Sequence, residues 1–385
     1  MKVMVGIPSY NNADTIGYVV QKAAEGLVKH FGGGLIVNAD GGSSDGTREA
    51  VLGTEVPEGV EVRSFVYKWP IPGKGSAVKE LIETAKEEHV DALVLVDSDL
   101  RSITPEWILK LADPMRHGYE FVTPYYIRHK YDGTITNNIA YPMTAALYGR
   151  DIRQPIGGDF GIGSRLFEVY LRDEELWKTD VAKFGVDIFL TTTAIGEGFN
   201  VCQAALGVKV HNPKDPATSL APMFNQVIGT LFMLMVRYDS RWIKVSNIED
   251  VPVFGEGTTG EPEPVEVSTE NLKEGILTFF TENEWILKKI LHPDTFSKVK
   301  DGIKTYQLDD VTWSHVLYDA AVAYKEGILK EAKPLVPIYF LKTLDFVMST
   351  RDMSTEEAEE LVRKRARVFL EEKPYLIERW GRKGL

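Results

Sequence analysis

The stretch that decides the fold is VDALVLVDSDL, residues Val90–Leu100, an apolar run that ends in two aspartates. Runs of β-branched residues without strict polar alternation are typical of strands buried on both faces, as in parallel sheets. Asp97 and Asp99 leave this strand one residue apart, so both carboxylates can reach a divalent cation directly or through water. An aspartate at a strand end also commonly caps the next turn. The run therefore predicts a parallel strand with a candidate metal site at its end.

Residues 1–125 alternate short apolar runs with longer amphipathic stretches. We interpret the runs as strands and the stretches as helices; the runs are KVMVGI, GLIVNA, VEVRSFVY, VDALVLVDSD and YEFVTPYY, and the stretches are Thr15–Lys29, Gly46–Leu52, Lys74–Glu87 and Pro105–Arg116. This alternation predicts an α/β protein with a mostly parallel, Rossmann-like sheet. Ligand sites in such sheets lie beyond the carboxyl ends of the strands. We therefore expect Pro8-Ser9-Tyr10, Asp40-Gly41-Gly42 and Asp97-Ser98-Asp99 to share one edge.

The rest of the chain is less regular at first and then becomes helical. After the Gly-rich segment QPIGGDFGIGS, the pattern predicts a helix at Val186–Ile195, a strand at Val201–Val210 and a long helix at Ala221–Arg237. Helical periodicity returns in four later stretches, which are Leu272–Leu291, Val311–Ala323, Leu335–Met348 and Thr355–Glu371. We predict an α/β domain at 1–243 with halves at 1–125 and 126–243, a Gly-, Pro- and Glu-rich linker or long loop at 244–268, and an all-helical C-terminal domain at 269–385.

Composition excludes several classes of protein. With 44 basic and 56 acidic residues and a formal charge of -12, the surface is expected to repel nucleic acid and anionic lipid. An anionic substrate would then need a local basic site or a metal. The single cysteine, Cys202, excludes an intramolecular disulfide and a zinc-binding cysteine cluster, and it fits a reducing compartment. No signal peptide or run of about 18 apolar residues is present, so we expect a cytoplasmic protein without a membrane partner.

Two Gly-rich loops are suited to a nucleotide. Pro72-Gly73-Lys74-Gly75 opens a predicted helix, where free backbone amides and a lysine at the positive end of the dipole favour a diphosphate. The spacing is not that of a Walker A loop, and an ordinary turn remains an alternative. In Asp40-Gly41-Gly42, the carboxylate can accept hydrogen bonds from a base or ribose, and the glycines permit close approach. This second loop could also be only a polar connection.

Taken together, the motifs resemble those of a known family. G-I-P-S-Y-N-N, N-A-D-G-G-S-S-D-G-T, P-G-K-G and V-D-S-D occur in the order and at roughly the intervals of the GT-A fold of nucleotide-sugar glycosyltransferases. P-G-K-G, V-D-S-D-L, Y-Y-I-R, Q-P-I-G-G-D, F-G-V-D-I and L-G-V-K-V-H-N look like the motif series of the retaining glucosyl-3-phosphoglycerate and mannosylglycerate synthases. The resemblance covers approximately residues 1–235, and the helical extension is more like that of the second group. It implies a metal-dependent hexosyltransferase with a UDP- or GDP-hexose donor.

The resemblance also implies roles for individual residues. The implied donor site comprises Pro8, Tyr10, Asn12, Asp40, Gly73, Lys74, Asp97, Ser98, Gly157 and Gly158. Acceptor contacts are implied for Arg128, Thr134, Thr136 and Asn212. Asp99 and His211 would hold Mg²⁺ or Mn²⁺, and Asp187 and Lys74 would take part in transfer, with Asp187 contacting the sugar.

The same residues also have readings that do not need a family. His211 ends an apolar run, where a neutral imidazole could ligate a cation, although Mg²⁺ and Mn²⁺ usually prefer oxygen and a strand-end histidine is often only a polar cap. Asp187 follows Gly185 at a predicted helix start, where an aspartate is favourable without any catalytic role. Arg128 follows two tyrosines and offers a planar fork suited to a carboxylate, but surface arginines are common.

One departure from the family pattern concerns the acceptor. Thr134 stands where the phosphoglycerate-using enzymes carry an arginine that helps to hold the acceptor phosphate. Its loss favours D-glycerate as acceptor, giving an α-hexosylglycerate compatible solute, over 3-phosphoglycerate. Lys130 or Lys214 could replace the arginine, so the phosphorylated acceptor stays an alternative. A homodimer is a further expectation without a motif behind it.

Three rival functions follow from the same motifs. An inverting GT-A transferase with a polyprenyl-phosphate or saccharide acceptor usually shows an acidic pair after the Gly-rich segment, and Gly158-Asp159 stands there instead. A nucleotidyltransferase usually opens with G-x-G-T-R, whereas this chain has Gly6-Ile7-Pro8. A non-catalytic nucleotide-sugar-binding protein is disfavoured because both implied metal ligands are present. A retaining hexosyltransferase is therefore the preferred hypothesis.

Overall fold

The structure is a computed structural model that describes residues 1–210, 216–257 and 260–381, with 216–221 described by their backbone alone. Its strands are β1 Val3–Ser9, β2 Gly34–Asp40, β3 Val60–Val66, β4 Ala92–Leu95, β5 Phe121–Ile127, β6 Arg150–Asp151, β7 Phe160–Gly163, β8 Val201–Val208, β9 Glu249–Asp250 and β10 Val253–Phe254. Its α-helices are α1 Ile16–Phe31, α2 Thr47–Leu52, α3 Lys74–Glu87, α4 Pro105–Ala112, α5 Tyr141–Tyr148, α6 Ser164–Leu171, α7 Val186–Gly196, α8 Pro216–Arg237, α9 Asp239–Trp242, α10 Thr269–Ile290, α11 Pro293–Thr305, α12 Asp310–Lys325, α13 Val336–Ser349, α14 Thr355–Glu371 and α15 Lys373–Gly381.

Eight of these strands form one sheet in the order β10-β8-β5-β7-β4-β1-β2-β3. All neighbouring pairs are parallel except those of β7, which is antiparallel to β4 and β5. The prediction of a mostly parallel sheet is confirmed. Every residue of β1 and β4 is buried, which explains why these strands lack polar alternation.

Helices α1 and α4 cover one face of this sheet and share its apolar core. Val20, Ala24 and Leu27 are buried on the inner side of α1, where helical spacing places them together. The two helices approach closely at Gly26, because a β-carbon there would lie 2.6 Å from the carbonyl oxygen of Pro105. The amphipathic pattern of the first half therefore produces the layer that supports the strand ends.

The chain divides into two compact units, each made of several segments. One unit comprises 1–128, 152–212 and 251–263, and the other comprises 129–151, 213–250 and 264–385. The first contains the eight-stranded sheet, and the second contains the two-stranded sheet of β6 and β9. The division into consecutive domains, with boundaries at 243 and 268, stays a prediction.

The second unit is built mainly of helices, and the predicted helical C-terminal region is confirmed over 269–381. Helix α14 spans the predicted residues, and Ser354 and Glu357 form a capping box at its start. Trp313 and Tyr318 of α12 are fully buried in this unit. None of the described helices is both long and apolar enough to cross a membrane.

Four strands, β6, β7, β9 and β10, lie where the sequence predicted none, and two of them, β7 and β10, belong to the eight-stranded sheet. β7 lies inside the Gly-rich segment, and its Gly161 leaves no room for a side chain, since a β-carbon would lie 1.8 Å from the carbonyl oxygen of Leu111. β10 lies inside the segment predicted as a linker and pairs with Gln203 and Ala204 of β8. The predicted strand at 201–210 ends at Val208, and the long helix begins at Pro216 rather than Ala221.

Candidate active site

The site is built at one edge of the sheet. Because β1 pairs in parallel with β2 and β4, with Ser9 opposite Asp40 and Gly6 opposite Leu95, the carboxyl ends of these strands lie side by side. The structure thus brings the three predicted segments together at this edge. Helix α3, which opens with Lys74, and helix α7, which opens beside Asp187, contribute their first residues to the same place.

The loop after β2 is held by Asp40, which is fully buried. One carboxylate oxygen accepts hydrogen bonds from the hydroxyls of Ser9 and Ser43 at 2.8 and 2.6 Å. The other accepts from the backbone N–H groups of Gly42 and Ser43 at 2.9 and 2.7 Å. Asp40 therefore shapes its own loop, and a contact of this residue with a nucleoside stays a prediction.

The loop after β1 is connected to the aspartate motif. Asn12 Oδ1 accepts a hydrogen bond from the hydroxyl of Ser98 at 2.8 Å and one from the backbone N–H of Tyr10 at 3.1 Å. The ring of Tyr10 is 65% exposed, so it is available to a planar ligand. Pro8 lies in β1 directly before Ser9 and is buried.

Lys74 lies at the centre of the site. Its Nζ is 2.8 Å from Asp97 Oδ1 and 3.3 Å from Asp187 Oδ1. Burial disfavours the charged form, but the carboxylates of Asp187 and Asp97 outweigh it, so the pKa of Lys74 is raised. The residue is therefore a fixed cation at the amino-terminal end of α3.

A second lysine, Lys209, enters the site just after β8 and is only 3% exposed. Its Nζ donates to Asp97 Oδ2 at 3.1 Å, to Asp159 Oδ2 at 3.0 Å and to the carbonyl oxygen of Gly157 at 2.8 Å. Burial disfavours its charge, but Asp159 and Asp97 together outweigh burial and raise the pKa of Lys209. Sequence reasoning missed this residue; the available signal was a lysine inside the apolar run LGVKV.

Asp159 holds Lys209 in position by accepting its hydrogen bond. The residue is fully buried, and its carboxylate accepts hydrogen bonds from the hydroxyl of Tyr126 and, at 2.8 Å, from the backbone N–H of Asp97. Burial, followed by the charge of Asp159, raises the pKa of Tyr126 well above its ordinary value, so its hydroxyl remains a donor. Asp159 is thus saturated by protein groups.

Glycines allow the backbone to reach these carboxylates. The N–H of Gly158 donates to Asp187 Oδ2 at 2.8 Å. A β-carbon at Gly158 would lie 2.0 Å from Asp97 Oδ2, and its φ of 85° also favours glycine. At Gly157 a β-carbon would lie 2.3 Å from the ring of Pro124. In the predicted phosphate loop, Gly73 and Gly75 pack against the backbone of residues 181–183 in the same way.

Asp99 is the residue at this edge that could bind a divalent cation. Both oxygens of Asp97 are bonded to lysines, whereas the carboxylate of Asp99 forms no hydrogen bond or ion pair with any described residue. A half-buried carboxylate oxygen is a ligand that Mg²⁺ and Mn²⁺ accept. The described ranges contain no group of three His, Cys, Asp or Glu residues that could hold a metal ion. The second predicted ligand, His211, and its neighbour Asn212 lie outside the described residues.

The predicted acceptor residues divide between the two units. Arg128 follows β5, with its guanidinium 5.7 Å from the centre of the Tyr126 ring. Thr134 and Thr136 belong to the other unit and are both buried. The hydroxyl of Thr134 is 2.5 Å from that of Tyr339 in α13, so it already has a partner. Acceptor contacts of these residues stay predictions.

Residues 4–173 match the family model described as Glycosyl transferase family 2. A mannosylglycerate synthase of Rhodothermus marinus is 26% identical over 135 residues, which are 34% of this chain and 34% of that protein. The match therefore spans about a third of the length of the curated relative. Together with the mostly parallel sheet, the family match confirms the predicted GT-A-like fold.

Two solved structures of glucosyl-3-phosphoglycerate synthase from Mycobacterium tuberculosis are similar to part of the chain. One, in complex with Mn²⁺, uridine diphosphate and phosphoglyceric acid, is 25% identical with a TM-score of 0.47 and covers 60% of this chain and 78% of that chain. The other, in complex with Mg²⁺ and uridine diphosphate, is 24% identical with a TM-score of 0.47 and covers 60% of this chain and 79% of that chain.

Proposed function

We propose, from the match of residues 4–173 to the glycosyl transferase family 2 model, that this protein is a retaining hexosyltransferase. It moves glucose or mannose from a UDP- or GDP-hexose to the hydroxyl of D-glycerate and forms an α-hexosylglycerate. The observation that carries the proposal is the position of Lys74, which lies between Asp97 and Asp187 at the carboxyl edge of the sheet. A fixed cation at a helix start is suited to a diphosphate that gains charge as it leaves.

The charge balance of the site supports a need for metal in donor binding. Lys74 and Lys209 contact Asp97, Asp159 and Asp187, so these groups carry one excess negative charge. Asp99 adds a carboxylate at the same strand end, and Arg128 adds a cation whose charge acts on Lys209. The remaining negative charge would repel a nucleoside diphosphate, and one divalent cation would offset it. Bound by Asp99, with His211 as the second proposed ligand, the cation would stabilise charge on the leaving diphosphate.

Asp187 is better placed to orient the sugar than to attack it. One of its oxygens is 3.3 Å from Lys74 Nζ, and the other accepts from the N–H of Gly158. A carboxylate fixed in this way can hold sugar hydroxyls, and each of its two oxygens already contacts a protein donor. In the proposed reaction, the glycerate oxygen bonds to the anomeric carbon on the face from which the phosphate oxygen departs. The glycerate proton passes to that phosphate oxygen, and the protein orients the two reactants.

Contacts of the second unit favour free glycerate over 3-phosphoglycerate. Lys130, which could have replaced the missing phosphate-binding arginine, donates to the carbonyl oxygens of Thr350, Arg351 and Met353 at 2.6, 3.2 and 2.6 Å. Thr134 is bonded to Tyr339. Both side chains are thus engaged by this unit. We propose the guanidinium of Arg128, a planar donor that follows β5, as the group that binds the acceptor carboxylate. The other candidate, Lys214, lies outside the described residues.

The state of Asp159 counts against an inverting mechanism. An inverting transferase needs a carboxylate base that can reach the acceptor hydroxyl. Asp159 stands where such a base is expected, yet it is fully buried and already bonded to Lys209, Tyr126 and the backbone of Asp97. This favours retention of the anomeric configuration. The role of Asp159 is then to hold Lys209 in place.

The proposal is tested by a donor-by-acceptor activity matrix. UDP- and GDP-linked glucose and mannose are each combined with D-glycerate and with 3-phosphoglycerate, with Mg²⁺, with Mn²⁺ and with a chelator. We expect metal-dependent transfer with a higher kcat/KM for D-glycerate. A strong preference for 3-phosphoglycerate would contradict the acceptor assignment. Tight donor binding without turnover in any combination would instead support a nucleotide-sugar-binding protein.

A further inference from the structure

The carbonyl groups that follow helix α13 are bound by one lysine side chain. Helix α13 ends at Ser349. Lys130 Nζ donates to the carbonyl oxygens of Thr350, Arg351 and Met353 at 2.6, 3.2 and 2.6 Å. A helix is negatively polarised at its carboxyl-terminal end, so an ammonium group is favourable there, and its three N–H donors match three acceptors. Lys130 therefore attaches its own segment of chain to the end of α13.

The residues that follow this lysine strengthen the attachment. The hydroxyl of Tyr131 donates to the carbonyl oxygen of Val347 at 3.2 Å. The ring of Tyr131 lies edge-on to the ring of Phe346, with ring centres 6.4 Å apart. Further along the segment, the hydroxyl of Thr134 lies 2.5 Å from that of Tyr339, which belongs to the first turn of α13. The segment is therefore attached to α13 near both ends of the helix.

The same segment is also closed by hydrogen bonds within itself. The side-chain amide of Asn137 donates to the carbonyl oxygens of Lys130 and Asp132 at 3.3 and 3.4 Å. The backbone N–H of Asn137 donates to the carbonyl oxygen of Gly133 at 2.9 Å. Thr136, a predicted acceptor residue, directly precedes Asn137 in the chain. A shift of Lys130 would therefore be passed on to Thr136 through a single neighbouring residue.

We propose that Lys130 is a positioning residue for the acceptor. Its ammonium group is bonded to carbonyl oxygens, so it acts by fixing the segment that leads to Thr136 and does not contact the acceptor itself. Arg128 and Thr136, which lie on either side of Lys130 in sequence, are both predicted to contact the acceptor, so the inference rests on the proposed function. Thr136 also begins the π-helix Thr136–Ala140, and short π-helices are frequent at functional sites.

The surroundings of Lys130 indicate that its loss would loosen the segment without unfolding the second unit. Lys130 is half-buried and Arg351 is exposed, so water can replace the ammonium group at these carbonyl oxygens. The hydrogen-bond acceptors of Lys130 among the described residues are neutral carbonyl groups, so its removal leaves no buried carboxylate without a partner. The effect is therefore expected in the binding of the acceptor and not in the folding of the chain.

Steady-state kinetics with each substrate varied in turn test this role, with D-glycerate and 3-phosphoglycerate as acceptors. Lys130→Met keeps the length of the side chain and removes its donors. We expect the KM for the acceptor to rise about tenfold, while the KM for the NDP-hexose stays unchanged. Lys130→Arg can still donate to carbonyl oxygens and should restore much of the acceptor affinity. Tyr131→Phe removes the neighbouring attachment and should raise the KM for the acceptor by a smaller factor.

Lys325→Met is the matched control in the same unit. Lys325, at the end of α12, also donates to a carbonyl oxygen, that of Trp380 at 2.6 Å, so its loss should leave both KM values unchanged. The inference is overturned if neither Lys130→Met nor Tyr131→Phe raises the KM for the acceptor, if the KM for the donor rises by the same factor, or if the control shows the same change. Failure of the proposed function would look different: the unmodified protein would transfer no hexose to either acceptor, and the inference would fall with it.

Discussion

Two clusters of buried charge in this molecule can be compared. The site cluster consists of Lys74, Lys209, Asp97, Asp159 and Asp187. The helix cluster, in the second unit, consists of Lys342, Arg365, Asp310 and Asp345, with Lys342 and Arg365 at 2.9 and 2.7 Å from the same oxygen of Asp310. Both pair buried cations with carboxylates, yet their surroundings differ.

The cations of the helix cluster are saturated by structural acceptors. Lys342 also donates to the carbonyl oxygen of Leu308, and Arg365 to the carbonyl oxygen of Asn137 and the side chain of Asn138. These hydrogen bonds link segments of the second unit and leave few donors of Lys342 and Arg365 for a ligand. The site cluster is instead bordered by glycines and lies at strand ends. Paired charge alone therefore does not indicate function, whereas paired charge beside glycine at a sheet edge does.

The largest expected effect is on catalysis. Lys74→Met should lower kcat/KM for transfer by about 1,000-fold, because it removes the fixed cation that faces the leaving diphosphate. The variant also leaves Asp97 and Asp187 without this cation, so the melting temperature should fall, and transfer is therefore expressed per folded molecule. Steady-state assays with an NDP-hexose and D-glycerate measure the loss.

Lys86→Met is the matched control, since it lies in the same helix. Lys86 forms an ion pair at 2.7 Å with Glu168, and the two side chains are 46% and 72% exposed. Its loss should leave transfer unchanged. If Lys74→Met kept most of its activity, the two clusters would have to be regarded as equivalent structural ion pairs.

The next largest effect concerns stability. Asp310→Asn should lower the free energy of unfolding by about 3 kcal/mol, because it leaves two buried cations without their shared carboxylate. Transfer per folded molecule should be preserved. Denaturant unfolding compares this variant with Asp301→Asn, whose ion pair with Lys304 is 70% and 71% exposed and should cost less than about 1 kcal/mol. Equal losses in the two variants would show that the helix cluster does not stabilise the fold.

A smaller effect is expected at Gly158, a glycine of the kind that borders the site cluster. Gly158→Ala should lower kcat/KM by about 10- to 100-fold, because the added carbon would displace Asp97 by contact. Gly118→Ala is the control: its φ of 83° matches the 85° of Gly158, but a β-carbon there meets nothing within 4 Å. Both variants carry the backbone cost of about 1 kcal/mol. Similar activity in the two would mean that close approach at Gly158 is unimportant.

The smallest effect is expected at Lys373, a buried lysine that forms no ion pair with the described residues. Among them it donates to the carbonyl oxygens of Ala146 and Val245, and burial lowers its pKa to about 8. Its unfolded pKa is about 10.4. Between these values the unfolded chain binds more protons, so stability should rise with pH from 8 to 10 by about 1–2 kcal/mol relative to Lys373→Met.

Unfolding of both proteins at each pH value measures this difference. The lysines of the site cluster should not produce such a slope, because nearby carboxylates keep the pKa of Lys74 and of Lys209 raised. An identical pH dependence in the unmodified protein and in Lys373→Met would contradict the assignment.

The sequence predicted the parts of the fold that depend on local pattern. Buried strands such as β1 and β4 and amphipathic helices such as α14 are encoded by neighbouring residues, and their ends lie close to the predicted ones. The common edge of the first three loops followed from parallel pairing. Motif order identified Lys74, Asp97 and Asp187, which the structure brings together.

Features that depend on distant partners were missed. β7 is rich in glycine and β10 has two residues, so neither has a local strand signal, and both exist because neighbouring strands pair with them. Lys209 contacts Asp97 across 112 residues of sequence. The burial of Asp159 likewise depends on Tyr126 and on the folded sheet. This burial is what indicates that Asp159 positions Lys209 and is not a catalytic base.

The proposed retention of configuration is tested most directly by NMR spectroscopy of the product made from an α-linked NDP-hexose and D-glycerate. We expect an α-linked hexosylglycerate, because the only carboxylate placed as an inverting base, Asp159, is buried and fully bonded in the described part of the chain. A β-linked product would contradict the account, since it would require a base that the site cluster does not offer.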